Sequence, residues 1–149
     1  MSTPELNTYW APTEVQKEIY SLLNSDTELV ALIGSDKVFD FVPDNTPFPY
    51  VTIYIMPFTD RGNATNEGLA CEFQISVWYQ PGGRNSGVGN LPVQLIQKRI
   101  DDLLQNNKLC INGWNTLQLR RTYIDIMTDI DNVTKHGVQR FRLFLGSKV

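Results

Sequence analysis

Few residues in this chain are of the types that carry out chemistry, and their spacing limits what they can attempt. The stretch 80–90, QPGGRNSGVGN, is the one place where a phosphate site is worth testing. A P-loop sets Lys and Ser/Thr after the last glycine of GxxxxG, so that a cation neutralises phosphate held by backbone N–H groups. Gly82 and Gly87 have that spacing, but Val88 and Gly89 follow, and the cation is missing. The dinucleotide pattern also fails, because Gly87-Val-Gly89-Asn-Leu-Pro92 lacks its third glycine. The stretch reads as a flexible loop, and no cofactor is expected.

Metal binding and nucleophilic catalysis are short of ligands and bases. His136 is the only histidine, and neither HExxH nor a histidine pair exists. Asp125, Asp129 and Asp131 cluster in DIMTDID, but an EF-hand needs oxygens at fixed positions around a glycine turn, closed by Glu. That cluster reads as a solvated turn, and no metal is expected. Cys71 and Cys110 lie 39 positions apart in apolar stretches, with no CxxC, and read as buried reduced thiols. There is no GxSxG, and no histidine lies near either cysteine in sequence. No catalytic residue is therefore assigned, and the chain is not expected to be an enzyme.

The arginines are the remaining functional candidates. Arg120, Arg121, Arg140 and Arg142 fall on two neighbouring terminal strands, and alternation puts Arg140 and Arg142 on one face. They form a cationic strip with either Arg120 or Arg121. The chain as a whole has 149 residues, a net charge of −3 and a pI near 5.1, which argues against a protein that coats nucleic acid. No RNP-like aromatic pattern accompanies the arginines. The net charge hides an asymmetry. Residues 1–83 hold three basic residues against eleven acidic ones, and residues 84–149 hold ten basic against five acidic. These balances of −8 and +5 leave open complementary surfaces that meet between identical subunits.

The elements that carry these residues follow from periodicity. With 42% hydrophobic and 19% charged residues, the chain is globular and of single-domain size. Met1-Ser-Thr-Pro-Glu5 shows no basic region followed by an apolar run, so no signal peptide is expected. No apolar run reaches membrane-spanning length, and the protein is expected to be assembled in a cytosol without membrane contact. Residues 1–12 read as an arm whose Tyr9 and Trp10 dock on their own domain or on a neighbour. The domain proper, 13–149, is expected to open with a helix at Thr13, capped by a Thr13/Gln16 box, with Val15, Ile19, Leu22 and Leu23 on one face. A second box, Ser25-x-x-Glu28, opens a short helix that Gly34 ends.

Beyond Gly34 the period drops to two. Val38, Phe39 and Phe41 suggest a short strand, and Tyr50 to Phe58 a strand buried on much of both faces. Residues 59–69 read as a polar hairpin loop in which Arg61, Asn63, Asn66 and Glu67 are candidate contacts, as is Arg84 in the glycine loop. Residues 71–79 alternate as a half-buried strand, and a helix from about Leu91 to Gln105 turns Val93, Ile96, Ile100, Leu103 and Leu104 inward. Strands at about 117–128 and 137–145 close the chain. A parity shift near Arg120–Thr122 implies a bulge. The order predicts an α+β fold: an antiparallel or mixed sheet of about four main strands packed by two to three helices in one domain.

Three segments taken together resemble a known family. They are Phe48-Pro-Tyr-Val51 preceded by Val38-Phe-Asp-Phe-Val-Pro43, the Phe73-Gln-Ile-Ser-Val-Trp-Tyr79 strand with its glycine loop and helix, and Asp131-Asn-Val-Thr-Lys-His-Gly-Val-Gln-Arg-Phe-Arg142. Their order and spacing, from about Glu14 to Leu145, are similar to the tail-completion or tail-terminator proteins of long-tailed bacteriophages, also called tail-to-head joining proteins. The resemblance implies a non-enzymatic virion protein. Six copies would form a ring at the head-proximal end of the tail tube, ending tube growth, offering a head-docking surface and letting DNA pass. The implied partners are other copies of the chain, the tail tube protein and a head-closure or connector protein. A rival reading is another neck component, such as a head-closure or connector adaptor. A small enzyme and a cellular oligonucleotide-binding module are the others, which the residues disfavour.

Overall fold

The structure, a computed structural model, describes residues 7–81 and 89–148. Three helices, α1 (Ala11–Ser25), α2 (Thr27–Ile33) and α3 (Leu91–Leu104), lie on one face of a mixed six-stranded sheet. Its strands are β1 (Val38–Phe39), β2 (Tyr50–Ile55), β3 (Thr59–Asp60), β4 (Gly68–Tyr79), β5 (Trp114–Thr128) and β6 (Lys135–Ser147). The spatial order is β1-β2-β4-β6-β5, with β3 also paired to β4. Only the β1–β2 pair is parallel, and every other pairing is antiparallel. The α+β, single-domain expectation holds.

Alternation along β4 and β6 builds the core. Cys71, Phe73, Ile75 and Val77 face the helices beside Phe141, Leu143 and Leu145, and all are buried. Phe73 and Phe141 are cross-strand partners whose rings stack at 5.3 Å. The helices close the layer with Val15, Ile19 and Leu23 of α1, Leu29 and Ile33 of α2, and Val93, Ile96, Ile100 and Leu104 of α3. Helix α3 approaches the sheet closely at Gly137, where an added Cβ would lie 2.7 Å from both Val93 Cγ1 and Gln97 Nε2. The bulge expected near Arg120–Thr122 is present as a register shift between Arg121 and Tyr123, with a second between Thr116 and Gln118.

Several local expectations are corrected. Helix α1 starts at Ala11 rather than Thr13, and its N-cap Trp10 makes no side-chain cap. Tertiary contacts set this start instead: Trp114 Nε1 donates to Tyr9 O at 3.1 Å, and Asn7 Nδ2 donates to Gly113 O and, at 3.0 Å, to Ser147 Oγ. Helix α2 is capped by Asp26 rather than Ser25, with Asp26 Oδ2 accepting from Leu29 N at 2.9 Å. Gly34 does end α2, at a φ of 98° that L side chains rarely adopt. Strand β1 stops before Phe41, and β2 stops at Ile55. The expected loop 59–69 begins with β3, so the connection is shorter. Cys71 is buried, but Cys110 is exposed, because its neighbours Leu109 and Ile111 turn inward instead. Gln97, unremarked in the sequence, is buried on α3, and its carbonyl accepts from Gln139 Nε2 at 3.0 Å.

Candidate interaction site

The opposite face of the sheet carries no helix, and the even-numbered residues of β4 and β6 line it. Cross-strand register turns them into rows. In one row Gln74, Arg140 and Tyr123 stand side by side, with Arg140 Nε donating to Gln74 Oε1 at 3.1 Å and its guanidinium 5.2 Å from the Tyr123 ring centroid. In the next, Glu72, Arg142 and Arg120 are neighbours, and Arg142 pairs with Glu72 at 3.1 Å. A third row stacks Trp78 on His136, centroids 3.8 Å apart and planes 12° apart, while Trp78 Nε1 donates to Thr52 Oγ1 at 3.1 Å. Burial lowers the pKa of His136, partly offset by the Asp129 carboxylate. This aromatic row escaped the sequence reading, because register between residues 58 positions apart leaves no local signal.

The structure settles which arginine joins the strip. Arg120 faces Arg142 across the open side. Arg121, at the bulge, instead pairs with Asp101 of α3 at 2.6 Å, and its N–H donates to Gln105 Oε1 at 2.6 Å. Arg120, Arg140 and Arg142 therefore share one face. Among the described residues the Arg120 side chain has no hydrogen bond or ion pair, whereas those of Arg140 and Arg142 are already held by neighbours on their own sheet.

The hairpin candidates divide in the same way. Asn63 Oδ1 accepts from Thr65 N, Thr65 Oγ1 and Asn66 N, so Asn63 shapes the turn. Asn66 O accepts from Asn63 N, and Asn66 Nδ2 donates to Thr65 Oγ1 at 3.5 Å. Glu67 ties inward, its Oε2 accepting from Asn7 N at 3.4 Å and its carbonyl from Ser147 N. Arg61 is exposed, and its backbone N–H donates to Gly68 O. Arg84 lies outside the described residues. Asp131, in the acidic turn, accepts from Val133 N and Thr134 N, and the Thr134 hydroxyl bond is the chief cause of its lowered pKa.

A cleft of about 1170 Å³ opens between the start of α1 and the β2–β3 segment, lined by Trp10, Tyr20, Tyr54, Pro57 and Phe58 among others. Trp10 stays 72% exposed, so the arm docks through Asn7 and the Tyr9 backbone rather than through its indole. At the other end of α1, Asp26 links the helix layer: Arg99 Nη2 and Nε donate to its two carboxylate oxygens at 2.7 and 2.8 Å. That guanidinium holds the Asp26 carboxyl below its ordinary range, and Asp26 raises the pKa of Arg99. Among the described residues, no three His, Cys, Asp or Glu side chains gather to hold a metal.

Fold and surface together define a small α+β module with one covered sheet face, one open face rich in arginine and aromatic residues, and an apolar cleft at the sheet end. Residues 17–146 match the sequence profile described as tail completion protein gp17, and the chain belongs to that family of phage tail proteins. The tail completion protein gp17 of Bacillus phage SPP1 is 23% identical over 137 residues, covering 92% of this chain and 96% of that protein. The solved structure of bacteriophage SPP1 gp17 has the same fold, with a TM-score of 0.57, 24% identity, and coverage of 93% and 94%. A chain from the virion of a native gene transfer agent particle superposes with a TM-score of 0.79 at 21% identity, covering 94% of this chain and all of that one.

Proposed function

We propose that this protein is a non-enzymatic component of the virion neck, assembled in the host cytoplasm as a ring of six copies. The ring caps the head-proximal end of the tail tube, ends tube polymerisation and offers the surface to which the filled head docks. Its partners are its own copies, the tail tube protein and a head-closure or connector protein. The observation that carries this reading is the family match over residues 17–146, which takes in α2, α3, most of α1 and nearly the whole sheet.

Physical features support it. A ring needs a heterologous interface, in which one patch meets a different patch on the next copy, and the two edges of this sheet differ in charge and side-chain type. DNA passes through the centre without being gripped, since phosphate affinity grows with each cation brought into contact and this chain is acidic overall. The domain proper takes in α1 from Ala11, and the segment before it is tied on through Asn7 and the Tyr9 backbone.

The test is negative-stain microscopy of the purified protein alone and mixed with purified tail tubes. Sixfold rings, free or at one tube end only, are expected. Binding along the tube wall, or capture of connector complexes without tube binding, would overturn the reading in favour of another neck component.

A further inference from the structure

The two lateral edges of the sheet carry matching deficits. At the β1 edge, the segment 40–44 leaves the sheet at once, and Phe41 stands 84% exposed between Asp40 and Asp44. The segment is held in shape: Gln16 Nε2 donates to Asp40 Oδ2 at 3.1 Å, and Thr46 Oγ1 donates to Pro43 O at 2.6 Å. An aromatic presented this far from its own core, with an acid on each side, has no role in the packing of its own domain.

Beside the β5 edge, on the open face, Arg120 of β5 and Arg142 of β6 are direct cross-strand partners. Like charges placed opposite each other destabilise a sheet, and Glu72 neutralises only Arg142. Arg120 is left unpaired among the described residues. With Phe144 these two arginines line a shallow pocket of about 390 Å³ with a cationic rim and an aromatic wall, which Arg121, its charge paired with Asp101, also borders. The acidic half of the sequence supplies β1 to β4, and the basic half supplies β6 and β5, so the halves lie side by side across the sheet. Their outer edges are four strand spacings apart, roughly 19 Å.

We propose that the Asp40–Asp44 segment of one copy docks in the Arg120–Arg142 pocket of the next, with Phe41 against Phe144 and the two aspartates against the arginines. This rests on the ring reading and names its joint. The occupant is a second copy because one chain carries both complementary halves on opposite edges, the arrangement a head-to-tail ring requires. The joint is made by side chains rather than by strand addition, because three outward backbone groups in the middle of β5 are already taken. Asn106 N donates to Leu119 O at 3.1 Å, Gln105 Oε1 accepts from Arg121 N at 2.6 Å, and Gln97 Nε2 donates to Asp125 O at 3.1 Å.

Charge reversal tests it. Arg120→Asp and Asp40→Arg are made singly and together, and association is followed by native mass spectrometry and sedimentation, on free or tube-bound rings, whichever the wild type forms. Each single variant is expected to raise the dissociation constant between subunits at least about tenfold, and the double variant to return it to within about threefold of wild type. An equal mixture of the two single variants is expected to assemble rings holding both in equal number. Phe41→Ser, at a side chain that stands 84% exposed, is expected to weaken association with an unchanged circular dichroism spectrum. Single variants that assemble as well as wild type, or that are not rescued in the double variant or the mixture, overturn the joint and leave the ring intact. A wild-type chain that is monomeric both alone and on tail tubes overturns the ring and the joint together.

Discussion

The two faces of the sheet are built from alternate residues of the same strands, yet they are held together by different physics. On the helix-covered face of β4 and β6 the side chains are apolar and interlock without solvent. Between the strand ends Gln139 is the exception, and its amide donates to Gln97 O. On the open face the same two strands present Glu72, Gln74 and Trp78 beside His136, Arg140 and Arg142, joined in cross-strand rows. Dispersion and desolvation act fully only where water is excluded, so the covered face sets stability. The open face is free to vary in chemistry at little cost to folding, which suits a surface used by partners.

The sharpest way to break this contrast is to empty the covered face. Phe141 is fully buried and stacked on Phe73, so Phe141→Ala removes transfer energy and leaves a cavity. We expect a loss of about 3–5 kcal/mol in urea unfolding. A loss below about 1 kcal/mol would mean that the sheet is not stabilised mainly from this side. Gly137→Ala comes next. Its new Cβ meets the Val93 and Gln97 side chains at 2.7 Å, so these side chains or α3 as a whole must give way, at a cost of about 1–3 kcal/mol. If the variant were as stable as wild type, the close approach of α3 would not be a constraint.

How much of this contrast was legible in the sequence follows from the range of the forces behind it. Residues 71–79 and 141–145 could be read as strands because one face is buried, which imposes strict alternation on the chain itself. The rows on the open face could not be read, since Gln74 meets Arg140 and Trp78 meets His136 through a register that no local pattern specifies. Helix starts failed for a related reason. The Thr13/Gln16 and Ser25/Glu28 boxes are locally sound, but Trp114 and Gly113 fix the arm from a distance, and Asp26 both caps α2 and takes two hydrogen bonds from Arg99. Arg120 and Arg121 stayed interchangeable in the strip until the bulge position was known, because a one-residue offset exchanges the faces.

On the open face the expected effects are smaller. Arg140→Ala removes the bond to Gln74 and the contact with Tyr123, both exposed, and should cost less than about 1 kcal/mol in the same unfolding assay. A cost equal to that of Phe141→Ala would erase the distinction between the faces.

The smallest effect expected is one of pH, and it asks whether any part of the open face behaves as interior. His136 is half-buried against Trp78, and its Nε2 is buried without a hydrogen-bond partner among the described residues. Protonation would bring a second N–H into that setting with nothing to accept it, and burial accordingly lowers the pKa below the ordinary 6.5. The unfolded chain therefore takes up this proton first as pH falls. The contribution is fully present above the unfolded value of 6.5 and is lost as pH drops through the lower folded value. Wild type should thus lose more stability than His136→Gln between about pH 7.5 and about pH 5, with the imidazole resonances titrating below the range of a free histidine. Equal losses in the two proteins, or a ring that titrates above that range, would make the row solvated surface like the Gln74–Arg140 and Glu72–Arg142 rows. The expected result would instead extend to the Trp78–His136 stack the burial that Ser76 and Val138 already show beside it on the same face.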